Sequence, residues 1–464
     1  MASRVYAIGD LHADPDCARY WIRRTGLVAN FSASHASSWR WTDPSAHLIF
    51  LGDLIDKGQR PREVLELVRR VQLTFPDRVT VLMGNHELNL ILDGLRHAGE
   101  GHYFDHTYGV AHPRQYLDWL DDPQDADAVK AVAALHDALN ELYAEQSYPR
   151  FSMTPDGPTS IVARVEPASL RPMVSRELRR WQDAYLAAVH PSSPLGAWLG
   201  ALNVTAHLAG SLFVHGGVSP ELVASRADAR DYLVDGLLNR RWRSVGASAA
   251  ALDHALLSDA SSLVEYRGLH DPRQGCQRVE RILAALSTSA TDDGGRGGAA
   301  RRDPVERIAV GHTPGLEVRV RCGGRLLALD SSLGRDFRAY GNMYCDSTRV
   351  AEPRVRRGDP AGGCAPRARG GTRAVCEGQI VRFERTATRG GAGRGARVLH
   401  APTPAELQEE AARFEVVGEA ADAPFEWSVH VMDSSGTGGD GNDQESDDAE
   451  AEEEGGGEGK KVEL

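Results

Sequence analysis

Five short apolar runs stand out along the chain, Val5 to Ile8, Leu48 to Leu51, Val79 to Met83, Leu212 to Val214 and Ile308 to Val310, each closed at once by polar residues. Short apolar runs with abrupt ends predict buried strands. Helix-like stretches separate the first three. One of them, "PREVLELVRRVQLTF", opens on Pro61 at a first-turn position and keeps Val64, Leu65, Leu67, Val68 and Val71 on one face. From about Gln115 to Ala209 the pattern is mostly helical, as in "DADAVKAVAALHDALNELYAEQ" and "SRELRRWQDAYLAAVH", which predicts a helical insertion or cap. Beyond Ile308 the texture turns to short β-like pieces, "LEVRVRC", "RLLALDS" and "GQIVRFER". The chain therefore reads as α/β.

Composition refines this picture. With 464 residues, 41% of them hydrophobic, the chain can bury one large core or two ordinary ones. Of the net charge of −12, −10 lies between Asp433 and Leu464, where twelve acids face two lysines. That tail has almost nothing apolar to bury and is expected to be disordered. The rest is close to neutral and carries no basic stripe, which argues against a nucleic-acid groove. Gly/Arg-rich stretches at about 287–304 and 356–373, and "TRGGAGRGAR" further on, lie between structured runs and read as flexible loops. The expected division is a main domain over 1–400, an extension over 401–432 and the acidic tail over 433–464.

The six cysteines, Cys17, Cys276, Cys322, Cys345, Cys364 and Cys376, form no CxxC pair and are expected to be reduced thiols of an intracellular protein. "MASRVYAIGD" enters a strand directly, no segment is long and apolar enough to span a membrane, and the terminal "KVEL" reads as coincidence, so a cytoplasmic location is expected.

Chemistry clusters where the strand-like runs end. In order these ends are "GDLH" with Asp10 and His12, "GDLIDKG" with Asp53, Asp56 and Lys57, "GNHE" with Asn85, His86 and Glu87, "HGG" with His215, and "GHT" with His312. Each alone has a bland explanation, a helix cap or a satisfied core histidine. Together they are more, because strand ends on one edge of a sheet converge in space. Carboxylate, imidazole and amide oxygen would build a cage for two divalent cations, manganese, iron or zinc, and the absence of cysteine argues against a structural zinc site. Asp53, at a strand end, is the natural carboxylate to bridge them. His102 and His106 are four apart, but flanking glycines make theirs a loop.

This motif order resembles the calcineurin-like metallophosphoesterases and, within them, the phosphoprotein phosphatases, across roughly residues 4 to 350. "GNHELNLILDGLR", "SLFVHGGVSP", "LVEYRGL", "VGHTPG" and "CGGRLLALDSSLG" give a finer resemblance to the Shewanella-like protein phosphatases. The resemblance implies a four-layer α-β-β-α sandwich. It implies that Asp10, His12 and Asp53 bind a first metal and Asp53, Asn85, His215 and His312 a second, with manganese foremost. His86 would be the general acid, oriented by Asp56, while Lys57, Arg267 and Asn85 would contact the substrate phosphate. A water or hydroxide held between the metals would attack phosphorus, with a phosphoprotein serine or threonine ester as substrate, and regulatory partners stay unassigned.

Two departures matter. "HAD" follows the first motif, and Ala13 is still small. Lys57 stands where the pattern has arginine, giving a compact charge in place of a two-pronged grip. The ApaH-like phosphatases also carry lysine there, so a dinucleoside polyphosphate or mRNA-cap pyrophosphohydrolase is the alternative; they generally lack an equivalent of Asp56. A scaffold that has lost catalysis is a third reading, disfavoured because all the ligands are present.

Overall fold

The computed structural model describes residues 4–32, 35–95, 113–122, 124–133, 151–154, 157–160, 183–245, 262–288, 303–315, 318–334, 376, 378–387 and 425–433. The strands are β1 (Arg4–Ile8), β2 (Val28–Ala29), β3 (Arg40–Trp41), β4 (Ala46–Phe50), β5 (Val79–Val81), β6 (Phe151–Thr154), β7 (Gly157–Ser160), β8 (Thr205–Leu208), β9 (Ser211–Val214), β10 (Arg307–Val310), β11 (Arg319–Arg321), β12 (Leu326–Ala328), β13 (Gln379–Ala387) and β14 (Phe425–Asp433). Three helices flank the site: α1 (Pro15–Arg24), α2 (Pro61–Thr74) and α3 (Asn85–Leu95).

Two five-stranded sheets carry the molecule, ordered β14-β13-β1-β4-β5 and β11-β12-β10-β9-β8. Strands β1, β4 and β5 are mutually parallel, as are β9, β10 and β12, so within each sheet their C-terminal ends share one edge. Side-chain alternation splits each strand between two cores. Val5, Ala7, Ile49, Leu51, Val381 and Phe383 of the first sheet meet Phe213, Ala309, Leu327 and Leu329 of the second. At the centre of this layer the Phe213 and Phe383 rings cross edge to face, 5.3 Å apart. The opposite faces pack against helices: Ile8, Leu48 and Phe50 join Trp21 and Ile22 of α1 and the Val64, Leu65, Leu67, Val68 and Val71 stripe of α2. Layers therefore run α-β-β-α, and each buried Val or Leu of the stripe contributes about 1.5–3 kcal/mol.

The block expected to be mostly helical holds helix at 126–133, 183–189 and Pro194–Leu199, but also the β6–β7 hairpin and β8, which joins the second sheet. The turn from β8 to β9 is Ala209-Gly210, both left-handed at φ 53° and 69°, the conformation a two-residue hairpin requires. "TAHL" is too short for its alternation to stand out beside helical neighbours. Likewise the expected C-terminal extension contributes β14, which pairs along all of β13.

The cysteines need correction. Cys17 is bonded to Cys376 and Cys276 to Cys322, with Cα atoms 5.4 and 5.1 Å apart. Spacing along the chain is silent about a pair 359 residues apart that the fold brings together. The intracellular placement argued from reduced thiols loses that support. Among the described residues no helix is long and apolar enough to cross a membrane. His102, His106, the Gly/Arg-rich loops at 289–302 and 356–373 and the acidic tail after Asp433 lie outside the described residues.

The turn Pro113–Trp119 packs on α2, where Arg62 Nη1 donates to the Asp118 carbonyl at 3.3 Å. Burial, and then the charge of Glu63, push the Asp118 carboxyl up from 3.8 to about 6. The folded carboxyl thus holds its proton more tightly than the unfolded one, so its ionisation erodes stability as pH rises through that window. Because the side chain is partly exposed, the effect is screened to on the order of 1 kcal/mol. Asp118→Asn should leave the melting temperature unchanged below pH 4 and raise it by about 1–2 °C above pH 7 in calorimetry. Equal shifts at both pH values would show that the carboxylate charge is not the cause.

Candidate metal centre and active site

Each parallel strand delivers its residues to the same edge. Asp10 and His12 follow β1, Asp53, Asp56 and Lys57 follow β4, Asn85, His86 and Glu87 follow β5, His215 follows β9 and His312 follows β10. His312, 302 residues from Asp10, donates its backbone N–H to Asp10 Oδ2 at 3.0 Å. The loops are bent hard. His12, Ala13, Asp53, Asp56, Lys57 and His312 all have φ between 44° and 63°, a region costing non-glycine residues about 1–3 kcal/mol each. Gly84 and Gly311 are required by close approach, since a Cβ there would collide with Asp53 Oδ1 and Asp10 Oδ1.

Two donor sets share Asp53. His12, Asp53 and His86 form one, and Asp53, His215 and His312 the other, with the ligand atoms of each set within 4.8 Å of one another. Asp53 Oδ1 lies 3.2 Å from His215 Nε2, and Oδ2 lies 3.9 Å from His12 Nε2. His12 Nδ1 faces the Ile55 carbonyl at 3.0 Å and His215 Nδ1 the Leu51 carbonyl at 2.7 Å. A carbonyl only accepts, so each Nδ1 carries the proton and each Nε2 lone pair is left for a cation. Asn85 Oδ1 points at His215 Nε2 and His312 Nδ1, at 3.2 and 3.0 Å. Turned over, the amide would donate its NH2 to both ring nitrogens and to Asp53 at 3.0–3.2 Å, so the place takes a positively polarised group.

Electrostatics point the same way. Burial, then Asp330 and Asp53, push the Asp10 carboxyl well up, and its buried Oδ1 has no hydrogen-bond partner among the described residues. Burial would raise Asp53 too, but the neighbouring His215 and His86 outweigh it and hold it well down. Burial depresses His12, helped by Lys57, and His312, helped by Arg267, keeping both in the neutral, ligating form. Excess buried carboxylate facing neutral imidazoles fits divalent ions of the oxygen- and nitrogen-loving kind.

His86 stands apart from the other imidazoles. Its Nδ1 is 2.6 Å from Asp56 Oδ2, and its Nε2 is 3.7 Å from Asp53 Oδ2. Burial pulls it down, yet Asp53 and the Asp56 hydrogen bond prevail and raise it. Lys57 Nζ lies 3.0 Å from His12 Nε2. Arg267, at the start of the turn Gly268–His270, is near enough for its charge to act on His312.

Two residues gain parts that sequence reasoning did not assign. Glu87, quoted within "GNHE", accepts through Oε2 from the N–H groups of Asp53 and Gly84, at 2.8 and 2.9 Å, and through Oε1 from that of Leu54 at 2.8 Å. It ties the β4 and β5 ends into one unit. Asp330 follows the apolar run of β12 just as the other acids follow theirs, and it lies buried against Asp10. That shared signal could have found it.

Comparison with known proteins agrees with the motif reading. Residues 3–137 match the family model described as calcineurin-like phosphoesterase. Shewanella-like protein phosphatase 2 of Arabidopsis thaliana is 25% identical over 242 residues, 51% of this chain and 52% of that protein. A symmetrical bis(5'-nucleosyl)-tetraphosphatase of a Janthinobacterium species is 29% identical over 117 residues, 25% of this chain and 36% of that protein. The chain thus spans about half, or less, of the length of these curated relatives. Among solved structures, the cold-active protein-tyrosine phosphatase of a psychrophilic Shewanella species superposes with a TM-score of 0.42 at 18% identity, over 72% of each chain. Over residues 3–137 the chain is similar to the calcineurin-like phosphoesterases, and its similarity extends to a Shewanella-like phosphatase.

Both Glu87 oxygens accept from N–H groups, so a neutral amide cannot replace it without setting an NH2 against a backbone donor. Glu87→Gln should lower unfolding free energy by about 1.5–3 kcal/mol, the range for hydrogen bonds to a charged group. Denaturant titration reads this directly, and an unchanged midpoint would show that the clamp is slack. Asp53→Asn should lose bound divalent ions by elemental analysis, because an amide cannot hold two cations close. Two ions retained per chain would remove Asp53 from its bridging place.

Proposed function

We propose that the protein is a dinuclear-metal phosphomonoesterase acting on phosphoserine or phosphothreonine in proteins, and the observation that carries this reading is the 2.6 Å contact of His86 with Asp56 beside Asp53. Asp10, His12 and Asp53 would hold one ion and Asp53, Asn85, His215 and His312 the other; His86, which the geometry groups with His12 and Asp53, is kept for proton transfer because Asp56 already engages its ring. Manganese is the ion expected, with iron or zinc as alternatives. Ions bound there supply Lewis acidity and an activated water for attack on phosphorus.

The protein's own groups do the rest. Asp56 accepts the Nδ1 proton of His86, which orients the ring and leaves Nε2 to deliver a proton to the departing oxygen. The charge of Asp53 and the hydrogen bond to the Asp56 carboxylate both favour the protonated form of His86. Lys57 and Arg267 lie beside the donor sets and would neutralise the phosphoryl oxygens, with Asn85 as a further contact. Serine and threonine alkoxides are poor leaving groups, so a positioned acid matters most for them.

A second reading, hydrolysis of a dinucleoside polyphosphate, is favoured by Lys57 and by the Janthinobacterium relative's name. The His86–Asp56 pair favours the first. His86→Ala and Asp56→Asn should each slow phosphoserine peptides selectively by about 10²- to 10⁴-fold while largely sparing p-nitrophenyl phosphate, whose leaving group needs no acid. The double variant should be little worse than His86→Ala alone, since the two act as one unit. Equal losses on both substrates would sink the general-acid assignment, and faster turnover of diadenosine tetraphosphate than of any phosphopeptide would favour the second reading.

A further inference from the structure

A group of cations, Arg267, Arg319 and Arg321, lies near His312 and the residue after it. Strand β11 is the edge of the second sheet, with Arg319 opposite Ala328 and Arg321 opposite Leu326. Val318 and Val320 turn into the layer between the sheets, so Arg319 and Arg321 share the opposite face. Arg319 Nη2 donates to the carbonyl of Thr313, the residue after His312, and Arg321 Nη1 donates to the His270 carbonyl at 2.9 Å. Arg267 completes the group, its charge acting on His312, His270 and Arg319 alike.

Arg319 and Arg321 are held by main-chain carbonyls, with the carboxylates of Asp330 and Asp271 acting on them by charge. Burial depresses Arg319 to about 10, with Asp330 and Asp10 opposing and Arg321 and Arg267 adding to the strain. Three buried polar atoms in the same neighbourhood have no hydrogen-bond partner among the described residues: Arg319 Nε, Thr313 Oγ1 and His270 Nε2. His270 itself is only 7% exposed. Clustered cations with unused donors in a poorly solvated place call for an anion. Their geometry is also held fast. The Cys276–Cys322 disulfide anchors the residue after Arg321, and Arg278 Nη1 donates to the Gly268 carbonyl at 3.2 Å.

We propose that Arg319 and Arg321, bordered by Arg267 and His270, form an anion subsite beside the metal centre that reads a second negative charge on the substrate, an acidic or phosphorylated side chain near the phosphorylated residue. The proposal rests on the phosphopeptide reading above and names its substrate class. Arg321 sits two residues along an extended strand from Arg319, about 6–7 Å further from the metal centre, which suits a charge on a neighbouring residue rather than on the scissile phosphate itself.

The test uses the full-length, metal-loaded protein and phosphoserine peptides of one length: one flanked by alanine, one by aspartate and one carrying a second phosphoserine. The expected result is that kcat/KM favours the charged peptides by about tenfold, that Arg319→Met and Arg321→Met each bring this ratio toward one, and that Arg319→Lys keeps part of it. A folding defect lowers all rates together and leaves the ratio untouched. Preference for the second phosphate alone identifies the anion as phosphate; equal preference for aspartate shows that a carboxylate suffices. A ratio of one in the wild type, or a ratio indifferent to both substitutions, overturns the subsite while leaving the phosphopeptide reading intact. No turnover of any phosphopeptide, with Arg319-dependent turnover of diadenosine tetraphosphate, overturns both and assigns the arginines to a polyphosphate chain.

Discussion

Five carboxylates among the described residues, Asp10, Asp53, Asp56, Glu87 and Asp330, are withdrawn from water at one edge of the sandwich, none more than 2% exposed. Taking an ion out of water costs several kcal/mol even after relaxation, so every one of them must be answered by something nearby. The answers differ. Glu87 is met by three backbone N–H groups, Asp53 by imidazoles, Asp56 by His86, and Asp10 and Asp330 face each other, each with one oxygen that has no hydrogen-bond partner among the described residues. The last pair is the molecule's clearest statement that positive charge belongs there.

This constraint reaches outward into the backbone. To aim side chains from six loops at one place, the chain adopts left-handed conformations at residues that disfavour them and forgoes a Cβ where main chain and carboxylate touch. The two packed sheets make such strain tolerable, because apolar layers on both faces hold the strand ends and leave the loops few alternatives. Carbonyls of Leu51 and Ile55, unremarkable in themselves, choose which nitrogen each histidine presents. Function here is distributed between acidic side chains and the main chain that orients their partners.

Much of this could be read from residue order, and the reason is physical. An apolar run that stops at an Asp or His marks both a buried strand and a polar end, so Asp10, Asp53, His215 and His312 announce their places without knowledge of the fold. Glu87 was visible only as a motif letter, since its partners are N–H groups that every residue possesses. Asp330 carried the same strand-end signal but sat among later β-like pieces with less contrast. The pairing of Cys17 with Cys376 and the placing of β14 depend on contacts across hundreds of residues, and local pattern holds no record of those. β8 was lost to its shortness beside helical sequence.

One feature of the first sheet bears on how the chain comes to be folded. β1, made of residues 4–8, does not lie at a sheet edge but between β4 and β13, and β13 begins only at Gln379. During synthesis at about 5–20 residues per second, β1 can therefore pair on one side early, while its other side waits for most of the chain. An apolar strand with a free row of N–H and C=O groups is a template for pairing with a second molecule. The nascent chain thus carries one unpaired flank of β1 until β13, about 370 residues later, has been made.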